Sequence, residues 1–190
     1  DPVADSTAWT QNPALCAYDM MTRSSQRGGI GIGSGRIDTT SLETARDYCS
    51  TKSWVCNMPI NRQQSVSDNL EQILACYRGA VIYSDNSFKF RFADLNEESV
   101  SLALDEDDVV EGTLRIEMPD IYDRPNAINV TYLDEDKRYK ANDFVYSDGS
   151  AVTSEGDYRE LKVNLYGVSD NELVQKMAYY ILERERLKKK

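Results

Sequence analysis

Apolar positions along the chain change period twice. Near the start the spacing is helical: Asn12 before Pro13 offers a cap and a first-turn proline, and Leu15, Tyr18, Asp19 and Thr22 continue the pattern. This predicts a helix over Pro13–Thr22. Thr40 with Glu43 makes a capping box, and Leu42, Ala45 and Cys49 share one face of the helix it opens, which ends near Ser50. Residues 54–60 are β-prone but broken by Pro59, so they read as a short edge strand. Leu70, Ile73, Leu74 and Tyr77 then follow i, i+3, i+4, i+7 spacing behind Ser65 as cap and Asp68 as first-turn acid, with Gly79 placed as a left-handed stop. The period next falls to two. Ala80 to Tyr83 and Phe88 to Phe92 flank Asp85-Asn86, the second run alternating aromatic with basic residues, which predicts a β-hairpin with one buried face.

After Phe92 the helical period disappears. Five short β-type runs, at residues 100–104, 113–118, 127–133, 144–146 and 160–166, are separated by turn clusters such as Asp134-Glu135-Asp136 and Ser147-Asp148-Gly149-Ser150. Runs of this length and spacing suggest a small antiparallel barrel or sandwich. Ser169 with Glu172 forms another capping box, and Leu173, Val174, Met177, Ile181 and Leu182 make the apolar stripe of a closing helix. The predicted fold class is therefore α+β. An α+β domain over 1–92, with three helices and a hairpin, precedes a β-rich barrel-like domain over 93–190 closed by a C-terminal helix, with the boundary near Ala93.

Composition narrows the chemistry. With 190 residues, 41% of them hydrophobic, the chain can build a sizeable core. A net charge of −10 repels phosphate backbones and anionic lipid, so neither nucleic acid nor a membrane surface is an expected partner. No apolar run approaches the roughly twenty residues of a membrane-spanning helix. The absence of His excludes Ser-His-Asp and Cys-His nucleophile systems and His-bearing zinc sites within this chain. The chain starts at Asp1 and ends in a run of lysines, so it reads as a piece of a longer protein.

Individual motifs add little chemistry. Cys16, Cys49, Cys56 and Cys76 form no CxxC pair and read as small buried hydrophobes, with disulfides left open. The glycine-rich stretch from Gly28 to Gly35 lacks the third glycine of a dinucleotide fingerprint and the lysine of a P-loop, and no strand leads into it. It reads as a loop that a neighbouring subunit orders. Asp105-Glu106-Asp107-Asp108 and Asp134-Glu135-Asp136 lack the alternating ligands and glycine of a calcium loop and read as solvated turns. Asn129-Val130-Thr131 matches a glycosylation acceptor by chance, inside a predicted strand. Tyr122, Tyr132, Tyr139, Tyr146, Tyr158 and Tyr166 suit either a core with cross-strand pairs or an assembly surface. No catalytic, cofactor-binding or metal-binding residue is assigned.

A resemblance covers nearly the whole chain. Asn12-Pro13-Ala14-Leu15 with Tyr18-Asp19, then Arg27-Gly28-Gly29-Ile30-Gly31, resembles the opening block of the central tail-tip hub (host-specificity, or tip attachment) proteins of long-tailed bacteriophages. The likeness continues through Ala45-Arg46-Asp47-Tyr48-Cys49, Leu70 to Gly79, Asp123-Arg124-Pro125-Asn126-Ala127-Ile128-Asn129-Val130-Thr131-Tyr132 and Leu165-Tyr166-Gly167-Val168. Gly28 stands where the family usually has an aromatic residue, which implies a looser first loop. The resemblance implies a baseplate-hub type of fold and a homotrimer around the tail channel, part of a virion tail or prophage tail assembled in the bacterial cytoplasm. Other tail tube and baseplate proteins would be its neighbours. It also implies no catalysis in this region and no cofactor. The competing readings are a carbohydrate-degrading tail-associated hydrolase module, marked by a close carboxylate pair in a cleft, and a receptor-binding module, marked by an exposed aromatic groove.

Overall fold

The computed structural model describes residues 8–60, 64–93, 105, 108–110, 112, 113 and 120–187. Helix α1 spans Pro13–Thr22, as the proline and cap predict. Asn12 Oδ1 accepts from the amides of Ala14 and Leu15 at 3.1 and 3.4 Å. The same side chain donates to Arg46 O at 3.0 Å, so one residue caps α1 and ties it to the next helix. Helix α2 runs over Thr39–Thr51, but its cap is Asp38, not Thr40. The Asp38 carboxylate accepts from Ser41 N at 2.7 Å, and this bond holds its pKa below the ordinary carboxylate value. Helix α3, Val66–Ala75, carries the reciprocal Ser65–Asp68 capping box.

Two local expectations in this half are corrected. Residues 54–60 form no strand: the amides of Trp54, Cys56 and Asn57 donate to Cys49 O, Gln11 O and Gly167 O at 2.8, 2.9 and 3.0 Å. Bonds to three separate elements replace a ladder. The left-handed stop after α3 is Arg78, at φ 60°, while Gly79 opens strand β1, Gly79–Ser84. Gly79 is required for a different reason, because a Cβ there would lie 2.2 Å from Cζ of the Tyr77 ring. Strand β2, Ser87–Phe92, completes the expected hairpin. Asp85 and Asn86, at φ 52° and 61°, supply the two left-handed residues of a tight hairpin turn.

Among the described residues the second half forms no barrel. Strand β3, Ala127–Asp134, pairs antiparallel with β4, Lys140–Ser147, and parallel with β5, Glu160–Leu165, giving an open sheet in the order β4-β3-β5. A parallel neighbour needs a crossover connection, and the chain supplies one through helix α4, Gly149–Glu155, where a turn cluster is expected from sequence. Asp148 caps α4 through bonds from Ser150 N and Ala151 N at 3.0 and 3.1 Å, and Gly156 ends it at φ 77°. Only Ala151 is buried on so short a helix, so no apolar period marks it. The expected strands at 100–104 and 113–118 lie outside the described residues, save for Thr113, which is not in a strand.

Helix α5, Asn171–Leu187, lays Leu173, Val174, Met177, Ala178 and Leu182 in the core, over β3 and β4. Asp170 stands before it and accepts from Glu172 N at 2.8 Å. Ser169, the expected cap, is instead buried and donates to Glu135 Oε2 at 2.8 Å while accepting from Asn57 Nδ2 at 3.2 Å. One continuous cluster of buried side chains runs from α1, α2 and α3 through Phe90 to the inner face of β3, Ile128, Val130 and Tyr132, and on to α5. It passes across the secondary-structure change near Ala93. No helix among the described residues is long and apolar enough to cross a membrane.

Asn126 closes the edge of the sheet. Fully buried, it donates through Nδ2 to Asp157 O at 2.7 Å and accepts from Arg159 N at 2.8 Å, while its carbonyl accepts from Asp148 N at 3.0 Å. Asn126→Ala leaves those two partners unsatisfied in the interior, so stability falls by about 3 kcal/mol. Asn129→Ala, which removes a side chain with a single long bond to Glu160 at 3.5 Å, changes it by less than about 0.5 kcal/mol. Urea unfolding midpoints of the two variants check this contrast.

Candidate functional site

The described residues hold no group of three or more His, Cys, Asp or Glu side chains placed to hold a metal ion. The carboxylate runs serve local structure where they are described. Asp134 is buried and accepts from Asn142 Nδ2 at 2.9 Å, Asp136 N at 3.1 Å and the Tyr132 hydroxyl at 3.2 Å. Asp108 Oδ2 accepts from Asp105 N at 3.2 Å; Glu106 and Asp107 lie outside the described residues. What the fold does present is two exposed surfaces of opposite charge.

The first surface is the glycine-rich loop. Two short 3-10 turns, Ser25–Arg27 and Ser34–Arg36, break it, and it is pinned to the end of α1 by Ile30 N to Met20 O at 3.0 Å and Ile32 N to Met21 O at 2.8 Å. Gly28 and Gly31 take φ near 80°, which accounts for glycine at both. Arg23 pairs with Asp19 one turn back, and an open hollow of about 620 Å³ lies between Asp19, Thr22, Arg23, Ser24 and Arg27. Arg36 reaches the hairpin: its Nη2 donates to the Tyr83 hydroxyl at 3.1 Å, and its guanidinium lies 5.6 Å from the Tyr83 ring centroid and 5.7 Å from that of Phe88. Tyr83 remains 52% exposed, so a cation and an aromatic ring face solvent together.

The second surface is a rim of acids and tyrosines where the sheet begins. The bonds of Asn126, with Arg159 Nε donating to Arg124 O at 2.9 Å, lay residues 124–126 alongside residues 157–159, and residues 120–123 lead directly into that seam. The 3-10 turn Ile121–Asp123 is closed by Asp123 N to Asp120 O at 3.0 Å. It holds Tyr122 outward at 72% exposure; on the other segment Tyr158 is 53% exposed and donates to Glu160 Oε2 at 3.1 Å. Asp120, Asp123 and Asp157 complete the rim. The six tyrosines of this half thus divide. Tyr132 is core, Tyr146 is half-buried in an edge contact with Tyr179, Tyr166 is half-buried, and Tyr122, Tyr139 and Tyr158 are exposed. Sequence singles out the tyrosines but not the rim, since its two segments are brought together by the side chains of Asn126 and Arg159, more than thirty residues apart.

Arg78 is the side chain that sequence reasoning missed. Its guanidinium sits 4.3 Å from the Tyr180 ring centroid and 5.3 Å from that of Trp54, and Nη2 donates to the Tyr48 hydroxyl. Tyr48 in turn stacks on Phe92 with centroids 4.0 Å apart. Arg78 thereby fastens the hairpin and α2 to α5 without a carboxylate partner among the described residues. Its position directly before Gly79 and after the helical stripe was the available signal.

A family model described as "putative phage tail protein" matches residues 65–190, more than half of the chain. No curated protein matches the chain.

The four cysteines, scattered over 61 positions of sequence, are all free thiols in or against the core. Contact with Cys56 and burial push the Cys16 thiol up; burial pushes Cys49 up to about 12. For Cys56, contact with Cys16 lowers the pKa, but contact with Cys76 and burial outweigh it and leave the thiol at about 12. The thiolate is the reactive form, so at pH 8 the folded chain reacts with a thiol reagent at least about tenfold more slowly than the chain in denaturant, where four thiols titrate at once. Stopped-flow labelling in buffer and in guanidinium measures both rates.

Proposed function

The chain belongs to this phage tail protein family, and we propose that within it the chain forms part of the trimeric hub that closes the tail tube at the tip and supports host recognition and DNA delivery. One observation carries the reading beyond the family itself: the residues of the hub resemblance that are most engaged here build the scaffold. Asn12 caps α1 and binds α2, and Asn126 joins three segments at the start of the sheet. Gly167 admits Cys76, whose Sγ would lie 2.5 Å from any Cβ placed there. A chain whose distinctive residues hold shape, and whose exposed surfaces offer arginines on one side and acids with tyrosines on the other, suits assembly with copies and neighbours. In this reading the chain sits in the virion tail after assembly in the bacterial cytoplasm, beside tube and baseplate proteins, and carries neither cofactor nor hydrolytic activity.

Quantitative mass spectrometry and electron microscopy of purified tails test this. Three copies per tail at the closed end, and unclosed tubes when the gene is deleted, are the expected results. Absence from purified tails, or copies spread along the tube, overturns the hub reading.

A further inference from the structure

The net charge of the chain is not evenly spread. Residues 1–93 carry nine Asp+Glu and nine Lys+Arg, whereas residues 94–190 carry twenty-three against thirteen, so the entire excess of −10 lies in the second stretch. Residues 23–36 hold Arg23, Arg27 and Arg36 and no acid. We propose that the 23–36 loop of one copy docks on the acid-and-tyrosine rim, residues 120–123 and 157–160, of the next copy, head to tail. The inference rests on the ring reading above and names the two faces that would meet.

Symmetry sets the first requirement. A cyclic trimer joins copies through two different patches, since only a two-fold axis brings a patch onto itself. The loop and the rim are such a pair. Among the described residues, Arg27 and Arg36 make no ion pair, and neither do Asp120, Asp123 and Asp157, so each face keeps its charge for a partner. The residue types also suit: Arg and Tyr carry a disproportionate share of binding energy at protein interfaces. A second copy is favoured over a nucleic acid because it supplies the complementary acids, while the excess negative charge repels phosphate.

The glycines supply an independent observation. Gly33 and Gly35 lie outside the positive-φ residues, and a Cβ at either would meet no atom within 4 Å. Among the described residues of their own chain nothing demands glycine there. A neighbour pressed against the loop backbone does.

The docking predicts the sign of the salt effect. Uniform self-repulsion would make association strengthen as salt rises; complementary faces make it weaken. Sedimentation of the chain up to high micromolar concentration in 50 and 500 mM NaCl should show self-association weakening by about tenfold or more with salt. R27E/R36E and D123K/D157K should each associate about tenfold more weakly than the parent, and their equimolar mixture should recover pairwise association between the two variants, because reversed faces match each other, while a closed ring of three keeps one mismatched junction. Gly33→Ala with Gly35→Ala should leave the urea midpoint unchanged and still weaken association. No association of the parent chain, stronger association at high salt, or a mixture no better than either variant overturns the proposal. The hub reading stands or falls separately on the presence of the chain at the tail tip.

Discussion

The apolar stripe of α5 is the constraint around which the described fold is organised. A seventeen-residue helix with Leu173, Val174, Met177, Ala178 and Leu182 on one side cannot remain in water, and the inner face of β3 offers Ile128, Val130 and Tyr132 as its counterpart. Seating it there fixes the rest. The turn into α5 must lie against residues 54–60, which explains why Asn57 meets both Gly167 O and Ser169. Tyr180 must meet Arg78, and through it the hairpin and α2. Arg78 carries a charge into this seam, with Trp54 and Tyr180 replacing part of its hydration by ring contact and Tyr48 accepting one bond.

A second constraint acts at the start of the sheet. Parallel pairing of β5 with β3 leaves the ends of a crossover to be satisfied, and Asn126 does so by holding backbone groups of residues 148, 157 and 159 at once. Arg159 bonds Glu155, and Arg186 of α5 bonds Asp148, so α4 is clamped between sheet edge and helix by charged pairs. Tyr122, Asp123, Asp157 and Tyr158, in the two segments that Asn126 and Arg159 tie together, are left exposed. The acid-and-tyrosine rim is therefore a product of the fold's own closure, and its exposure follows from geometry that serves stability first.

Assembly on such a chain depends on how charge is partitioned. A net value of −10 suggests mutual repulsion of copies, but repulsion between whole molecules fades within about 10 Å at 0.1 M salt, while contacts are decided by the faces that touch. With the first 93 residues balanced and an arginine-bearing loop exposed among them, two copies present one face of each sign. That arrangement favours oriented approach over indiscriminate aggregation, a property suited to a tail component built into a fixed position.

Local signals determined much of the chain by themselves. Asn12-Pro13, Ser65 with Asp68, Asp85-Asn86 and the stripe of α5 each specify their element through neighbours within four residues, so the three early helices, the hairpin and the closing helix were legible. The resemblance of residue order likewise pointed to a phage tail protein before any geometry. Only tertiary structure decided the rest, for reasons of distance along the chain. Asp38 takes the cap expected at Thr40 through its bond from Ser41 N, and Asp170 displaced Ser169 because the Ser169 hydroxyl spans instead to Glu135 and Asn57. Residues 54–60 lost their strand to the carbonyls of Cys49, Gln11 and Gly167, two of them distant in the chain, and among the described residues an open mixed sheet stands where a barrel was expected, because α4 returns β5 parallel to β3. The candidate faces lay beyond reach for the same reason. A rim assembled from segments more than thirty residues apart, joined by the side chains of Asn126 and Arg159, has no local pattern to read.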